Sequence, residues 1–258
     1  MEQKFNFRTF QFTTPSGHQV VIREQNGEDD DILSNPVEAQ TMMNLSRFIS
    51  GIIVECDYTE NTKLTPQQAH ELPALDRYCI LFNSRKFSLG DTVDFTYDWG
   101  EDNGGKQEYT QELDEFLFDY SKLPTEEEAA AKPNAIPFYP MGGQFKDITF
   151  ETSTGKKLKF DLFNARAEAY LLELPMDQRT KNKELVARNL MLEVDGKWDR
   201  VTNFRMFSVS EMKEIRAEVT GNDPVFYGTT TIENPRVPGQ VTEVNIVALK
   251  DFFYPGEM

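Results

Sequence analysis

Hydrophobic and polar residues alternate at the start of the chain and then give way to helical spacing. Four aromatic residues precede a Pro15-Ser16-Gly17 turn: Phe5, Phe7, Phe10 and Phe12. Val20 and Ile22 continue the alternation after the turn, so this stretch predicts an antiparallel hairpin. Farther on, apolar residues occupy one face of a helix at positions i, i+3, i+4, i+7 and i+8, namely Leu45, Phe48, Ile49, Ile52 and Ile53.

The next elements are predicted from capping residues and from a second alternating stretch. Thr65 and Pro66 suit the N-cap and first turn of a helix, and Pro73 predicts a break in it. The helix that follows is expected to end near Gly90 and to bury one face, formed by Leu75, Cys79 and Phe82. A second hairpin is then expected to turn at residues 100–105, with these apolar positions on its two arms: Val93, Phe95, Tyr97, Tyr109, Leu113, Phe116 and Phe118.

The chain aligns with itself, without a gap, at an offset of 138 residues. Residues 12–17 fall on residues 150–155, residues 52–57 fall on residues 190–195, and Asn26 falls on Asn164. A period of this length is too long for a solenoid repeat. We interpret it as two copies of one module, related by a pseudo-two-fold axis.

The second half has the same predicted plan as the first. A hairpin spans 148–160, and two helices lie near 165–174 and 181–192. Ser208 with Glu211 forms a capping-box pattern for a third helix, which Gly221 is expected to stop. The closing hairpin pairs 226–233 with 240–247. The predicted fold class is therefore α+β, as two tandem copies of a hairpin–helices–hairpin module.

Composition places the boundaries between these modules. Residues 1–120 form the first α+β module, 121–147 a Pro/Gly-rich connecting arm, and 148–258 the second α+β module. The arm contains Pro124, Pro133, Pro137 and Pro140, and is expected to be ordered but irregular.

Charge and composition exclude several classes of function. The formal net charge of −16 argues against a nucleic-acid footprint, which needs clustered Lys and Arg. No apolar run is long enough for a membrane span, and Met1-Glu2-Gln3-Lys4 lacks the apolar stretch of a signal peptide. Two cysteines are too few for a disulfide scaffold or a four-ligand zinc site. The default compartment is a reducing cytoplasm.

The search for chemistry predicts no catalytic, cofactor-binding or metal-binding residue, and no cofactor. His18 and His70 are interpreted as surface residues, and Cys56 and Cys79 as buried apolar residues rather than nucleophiles. Two acidic stretches have a metal-binding alternative. Residues 27–31 are interpreted as a helix start whose carboxylates suit the helix dipole. Residues 98–105 are interpreted as a hairpin turn, because their register does not match a calcium loop.

Two stretches resemble a known protein family. One is Leu75-Asp76-Arg77-Tyr78-Cys79-Ile80-Leu81-Phe82-Asn83-Ser84-Arg85, followed by Ser88-Leu89-Gly90-Asp91-Thr92-Val93-Asp94-Phe95-Thr96-Tyr97; the other is the hairpin at 12–23 with its acidic helix start. Together they resemble small baseplate proteins of contractile-tailed bacteriophages, which are associated with the central hub and its assembly. Members have a Pro-Ser hairpin turn, a helix with an Asp-Arg pair and a later Arg, and a closing hairpin that sometimes carries two cysteines.

This chain departs from the family pattern at two places. Its hairpin tips have Trp99-Gly100-Glu101-Asp102 and Asn234-Pro235-Arg236-Val237, with no cysteine to hold a metal. The second copy has Glu214-Ile215-Arg216 where the first has the Asp-Arg pair. The resemblance covers most of the first copy, and it implies a virion or assembly component with no catalysis.

The leading hypothesis is a non-enzymatic structural component of a phage contractile-tail baseplate, located in the virion and assembled in the host cytoplasm. Its expected partners are other tail and baseplate proteins in a symmetric assembly, with no nucleic acid. The arm at 123–140 and the aromatic residues Phe252, Phe253 and Tyr254 are candidates for partner contact, and the alternative is that both segments pack on their own domain. Deletion of 126–137 is expected to weaken incorporation and leave the fold intact. The alternatives are an assembly chaperone absent from the mature virion and a carboxylate-based cell-wall hydrolase.

Overall fold

The structure is a computed structural model that describes residues 7–140 and 143–254. The expectations for residues 1–4 and for Phe5 lie outside the described residues, as do the outer ends of the two predicted modules. The helices are α1 (Gly27–Leu33), α2 (Pro36–Ala39), α3 (Met43–Ile52), α4 (Pro66–Glu71), α5 (Ala74–Leu89), α6 (Glu126–Ala131), α7 (Ala165–Glu173), α8 (Lys181–Ala187), α9 (Val209–Asn222) and α10 (Lys250–Phe253). The strands are β1 (Thr9–Thr13), β2 (Gln19–Arg23), β3 (Ile53–Cys56), β4 (Thr92–Asp98), β5 (Lys106–Glu112), β6 (Ile148–Glu151), β7 (Lys157–Phe160), β8 (Met191–Val194), β9 (Lys197–Arg200), β10 (Thr229–Glu233) and β11 (Val241–Asn245).

The strands form four antiparallel sheets, so the chain is an α+β protein. The first half has a three-stranded sheet in the order β1-β2-β3 and the hairpin β4–β5. The second half has a four-stranded sheet in the order β6-β7-β8-β9 and the hairpin β10–β11. Phe10 pairs with Ile22 in the first sheet, and Phe150 pairs with Leu158 in the second. No helix in the described ranges is long and apolar enough to cross a membrane.

Element order is the same in the two halves at several places. Helices α7 and α8 and strand β8 begin 138 residues after α1, α3 and β3. Asn26 and Asn164 each cap the first helix of their half through their side chains. These correspondences are the observations on which the duplication hypothesis rests, and common descent of the two halves stays a hypothesis.

Several predicted elements have different bounds or a different type. The helical pattern of α3 stops at Ile52, and Ile53 begins a strand that pairs with β2. The helix predicted to reach residue 192 ends at Ala187, and two strands follow it, β8 and β9. The return arm of the β4–β5 hairpin ends at Glu112, after which Leu113–Phe116 form a 3₁₀ turn. Gly221 lies inside the last turn of α9 rather than after it.

The two halves share one apolar core. The Phe82 ring, on α5 of the first half, lies 5.8 Å from the ring of Phe226 and 5.2 Å from that of Phe252, measured between ring centroids. Phe252 is 0% exposed. The Ala74 N–H, at the start of α5, also donates to the Phe163 carbonyl at 2.7 Å. The aromatic residues near the end of the chain therefore complete the core of the first half. Of the two alternatives for Phe252, packing on the protein's own core is the one that the structure shows.

The tips of the two closing hairpins contact each other. Asn234 Nδ2 donates to the Asn103 carbonyl at 2.9 Å, and Tyr109 Oη donates to the Glu233 carbonyl at 3.0 Å. Gly104 has φ of +95°, and a Cβ built there would lie 2.6 Å from Cγ of Arg236. Glycine is therefore required at 104 both for its backbone conformation and for this close approach.

The connecting segment is packed onto the first half. Ile136 is fully buried, and its N–H donates to the Phe116 carbonyl at 2.9 Å. Tyr120 Oη donates to the Ile136 carbonyl at 2.6 Å. The segment also contains the capped helix α6, which the composition did not predict. Deletion of 126–137 would remove Ile136 from the core, so the expectation that this deletion leaves the fold intact is wrong.

Candidate interaction surface

Strand β1 is an edge strand that carries no charged residue. Its sequence is Thr-Phe-Gln-Phe-Thr, whereas each of the other ten strands in the described chain contains at least one Asp, Glu, Lys or Arg.

 The ten charged strands include the other sheet edges: β3 contains Glu55, β6 contains Glu151, and β9 contains Lys197, Asp199 and Arg200. Charges on an edge strand discourage a second chain from pairing with it. Strand β1 lacks that protection.

The backbone of β1 offers a row of free hydrogen-bonding groups. The Arg8 carbonyl accepts from the Glu24 N–H at 3.0 Å, and the Thr14 N–H donates to the His18 carbonyl at 2.8 Å. Because orientation alternates along an antiparallel strand, every second residue between these two points toward β2. The N–H and C=O groups of Thr9, Gln11 and Thr13 therefore point away from the sheet. No described residue forms a backbone hydrogen bond with them.

A groove of about 640 Å³ runs beside this free edge. One wall is β1 itself, including Phe10, whose side chain stacks on Phe12 and Phe87 while the residue remains 39% exposed. The other wall is the segment 117–121, which includes Phe118. Leu117 has an extended backbone, with φ of −124° and ψ of 136°. The groove thus has a free strand edge on one side and an extended segment on the other.

Contacts from the connecting segment hold the second wall in place. Lys132 Nζ donates to the carbonyls of Asp114 and Leu117, at 2.7 and 2.8 Å. The Ile136–Phe116 and Tyr120–Ile136 hydrogen bonds fix the same stretch from the inner side. Lys86 Nζ forms an ion pair with Asp114 at 2.5 Å. The two lysines that line the groove are therefore already bound to groups of the protein.

A buried carboxylate fixes the turn at the far end of β1. The Ser16 N–H donates to Asp76 Oδ1 at 3.1 Å, and Ser16 Oγ donates to Asp76 Oδ2. Tyr58 Oη donates to the same Oδ2 at 2.7 Å. Gly17, with φ of +89°, allows the chain to reverse between these contacts. Helix α5, which carries Asp76, thereby sets the position of the β1–β2 hairpin.

The environment of Asp76 changes its acidity. Asp76 is fully buried, and burial raises the pKa of its carboxyl group to about 6, although the hydrogen bonds from Ser16 and Tyr58 lower it. A carboxyl group with such a pKa suits acid–base chemistry. Asp76 has 0% exposure, however, and a polysaccharide substrate cannot reach it in this arrangement.

The two histidines are not simple surface residues. The His18 ring stacks on Tyr58 at 4.3 Å between centroids, and its Nδ1 lies 2.8 Å from Asp57 Oδ1. The Nδ1 atom of His70 lies 2.9 Å from Ser46 Oγ, and burial lowers the pKa of His70. Both residues are half-buried, so each keeps part of its side chain at the surface. Their polar partners hold both rings in place.

The cysteines and the acidic stretches also have structural surroundings. Cys56 and Cys79 are buried free thiols, and burial raises the pKa of both. Asp29, in the acidic stretch at 27–31, accepts from both Nη atoms of Arg23 at 2.7 and 2.8 Å. It therefore forms a buried ion pair in addition to any interaction with the helix dipole. Among the described residues, no group of three or more His, Cys, Asp and Glu side chains is arranged to hold a metal ion.

A smaller cleft of about 250 Å³ lies where the two halves meet. Arg77 and Glu168 line it, and Arg77 Nη1 donates to Ser46 Oγ and to the Ala69 carbonyl, at 3.1 and 2.6 Å. The Nη2 atom of Arg77 is buried and has no hydrogen-bond partner in the described structure. Burial raises the pKa of Glu168, and the charge of Arg77 lowers it.

The sequence signal for the β1 edge is the absence of charge from residues 9–13. Motifs for catalysis and metal binding depend on particular polar residues, whereas this surface is distinguished by a missing charge in an edge strand. The acidic character of the second wall was also visible, since residues 112–132 contain seven Asp and Glu but two Lys. Contact between this stretch and β1 was not predictable from either pattern alone.

Comparisons with protein-family models, curated proteins and solved structures find no match to this chain.

Proposed function

We propose that this chain is a non-enzymatic structural component of the baseplate of a contractile phage tail, and that it acts through protein–protein contacts. The family resemblance suggests this class of protein, and the β1 edge with its groove supplies a surface suited to such contacts. Its proposed location is the virion, in a symmetric assembly with other tail proteins.

The observation that carries the proposal is that the two resembling stretches form one packed unit. Ser16 lies in the hairpin at 12–23 and Asp76 in the stretch that begins at Leu75, and two hydrogen bonds join them. Arg85, the later Arg of the pattern, donates to the carbonyls of Gly90 and Thr92, at 3.2 and 2.9 Å. Residues from separate parts of the pattern thus hold the first hairpin, α5 and β4 together, which supports treating them as one motif.

Mass spectrometry of purified particles tests the proposal. The phage that encodes this chain is grown, and the chain is quantified relative to the main tail proteins in particles and in infected-cell lysate. A fixed, small copy number in the particle is expected for a symmetric structural part. Normal tails in a phage that lacks this gene would overturn the proposal.

An assembly chaperone is the second candidate, and one observation favours it. An uncharged edge strand beside an open groove suits temporary capture of an extended segment, and the net charge of −16 keeps such a factor soluble. The same measurement separates the two candidates. Abundance in the lysate together with absence from the particle would identify a chaperone.

A further inference from the structure

We propose that the groove beside β1 binds an extended segment of a partner protein, which adds a strand to the β1-β2-β3 sheet. The segment has apolar side chains on the face toward Phe10 and Phe118, and Lys or Arg at its ends. This inference deepens the proposed function and rests only on its protein-contact part.

The free edge is the first argument. Thr9, Gln11 and Thr13 present backbone groups that pair with no other residue in the described ranges, and a partner strand forms hydrogen bonds with such groups regardless of its own side chains. The absence of charge from β1 leaves nothing in the strand itself to oppose pairing.

The shape and lining of the groove are the second argument. An added strand lies about 4.8 Å from its neighbour, so it would occupy the space between β1 and the extended segment at 117–121. Alternate residues of that strand would then face the exposed part of Phe10 and the half-buried Phe118. The groove therefore favours an extended chain with apolar residues at every second position.

Charge determines the class of partner. The stretch 112–132, which forms the second wall and α6, has seven acidic residues and two lysines. One of these lysines, Lys132, is already bound to two carbonyls. Basic residues at the ends of the incoming segment complement this wall. A second copy of the chain fits less well, because each copy has a net charge of −16 and would bring like charges together.

The experiment measures binding of a synthetic peptide by fluorescence anisotropy. The probe has five alternating valine and threonine residues between two pairs of lysines. One control peptide carries glutamates in place of the lysines, and another carries proline in place of the central valine. Binding of the lysine peptide is expected to be at least ~10-fold tighter than that of either control.

Matched variants of Gln11 locate the binding edge. Gln11→Pro removes an outward N–H, which a sheet edge tolerates, whereas Gln11→Ala keeps that N–H. Q11P loses one hydrogen bond to the partner strand, and its ring hinders the close approach of that strand, so binding is expected to weaken at least ~10-fold. Binding by Q11A is expected to stay within ~3-fold of that by the wild type. Thermal unfolding verifies that Q11P is folded. If Q11P is not folded, Thr9→Pro, at the first residue of β1, is measured in its place.

The outcomes separate this proposal from others. Equal binding by Q11P and the wild type, or equal binding of the lysine and proline peptides, would show that charge alone attracts the probe and would overturn the proposal. A dimer in sedimentation that Q11P abolishes would identify a second copy as the occupant and would also overturn it. The peptide measurement does not involve phage particles, so its failure is distinct from failure of the baseplate proposal.

Discussion

The two halves of the molecule hold their first hairpin by a similar contact, between a helix carboxylate and a serine of the hairpin turn, in different surroundings. In the first half, Asp76 accepts from the N–H and Oγ of Ser16. In the second half, Glu214 accepts from the N–H and Oγ of Ser153, at 2.8 and 2.7 Å. Asp76 and Glu214 are 138 residues apart, which is the offset that aligns the chain with itself.

The difference lies in what covers the contact. The Tyr139 N–H donates to the Pro15 carbonyl at 3.3 Å, and Tyr139 Oη accepts from the Leu75 N–H at 3.0 Å, so the connecting segment crosses over the Asp76 contact. Burial raises the pKa of Asp76, whereas hydrogen bonds from Ser153 lower the pKa of Glu214, which lies at the surface. The hydrogen bonds from the serine lower the pKa of both carboxyl groups, and the net directions differ because burial raises the pKa of Asp76 by more than its hydrogen bonds lower it.

The largest expected effect comes from a residue that joins the halves. Phe252→Ala leaves a cavity beside Phe82 and is expected to lower the free energy of unfolding by about 3–5 kcal/mol. Urea unfolding measures the change. Leu172→Ala, at a residue that is 47% exposed, is the control. An equally small effect of both substitutions would show that the first half does not depend on the second.

Removal of the two carboxylates tests their different surroundings. Asp76→Ala leaves the Ser16 N–H buried without an acceptor and removes one of the two acceptors of the Tyr58 hydroxyl, and is expected to cost about 2–3 kcal/mol. Glu214→Ala exposes its partners to water and is expected to shift the urea midpoint much less. Similar shifts for the two variants would contradict the role assigned to the connecting segment.

The pH dependence of stability provides a third test. The pKa of Asp76 is about 6 in the folded protein and near 3.8 when unfolded, so the folded state binds its proton more tightly. This contribution to stability is present at low pH and is lost as the pH rises through 6. The unfolding free energy of the wild type, relative to Asp76→Asn, is expected to fall by about 1–1.5 kcal/mol between about pH 5 and pH 7. A difference that does not vary with pH would contradict the prediction, and the same measurement on Glu214→Gln is the control.

Thiol labelling gives the smallest but most local signal. Both cysteines are in the first half, and Cys79 is 0% exposed. If the halves open together, the free energy derived from Cys79 labelling in Cys56→Ala should equal the global unfolding free energy. Faster labelling would show that the first half opens by itself.

Most of the local structure was predictable because its signals are local. The hairpins follow from alternation and from the Pro15-Ser16-Gly17 turn, and the Thr65 N-cap and the Ser208 capping box are present as predicted. The strand β9 was missed although Asp195-Gly196, both with positive φ, is a strong hairpin signal. The apolar spacing of α8 continues past Ala187, and for that reason the sequence predicts a helix as far as residue 192.

The candidate surface was less predictable because it depends on contacts between distant residues. The sequence shows that β1 lacks charge, but its position at a sheet edge follows from pairing with β2 and β3. Likewise, the segment at 117–121 becomes a wall only because Ile136 and Lys132 hold it beside β1. The burial of Asp76 depends on Tyr139, which is 63 residues away in the chain.

The position of Phe252 also has a consequence for synthesis of the protein in the cell. Chains are made from the N-terminus, and an N-terminal domain commonly folds before the rest has been translated. Here the ring that packs against Phe82 belongs to a residue made long after the first half. The first half cannot finish folding on the ribosome until α10 has emerged. The part of its core that Phe252 covers therefore stays uncovered while the second half is being made.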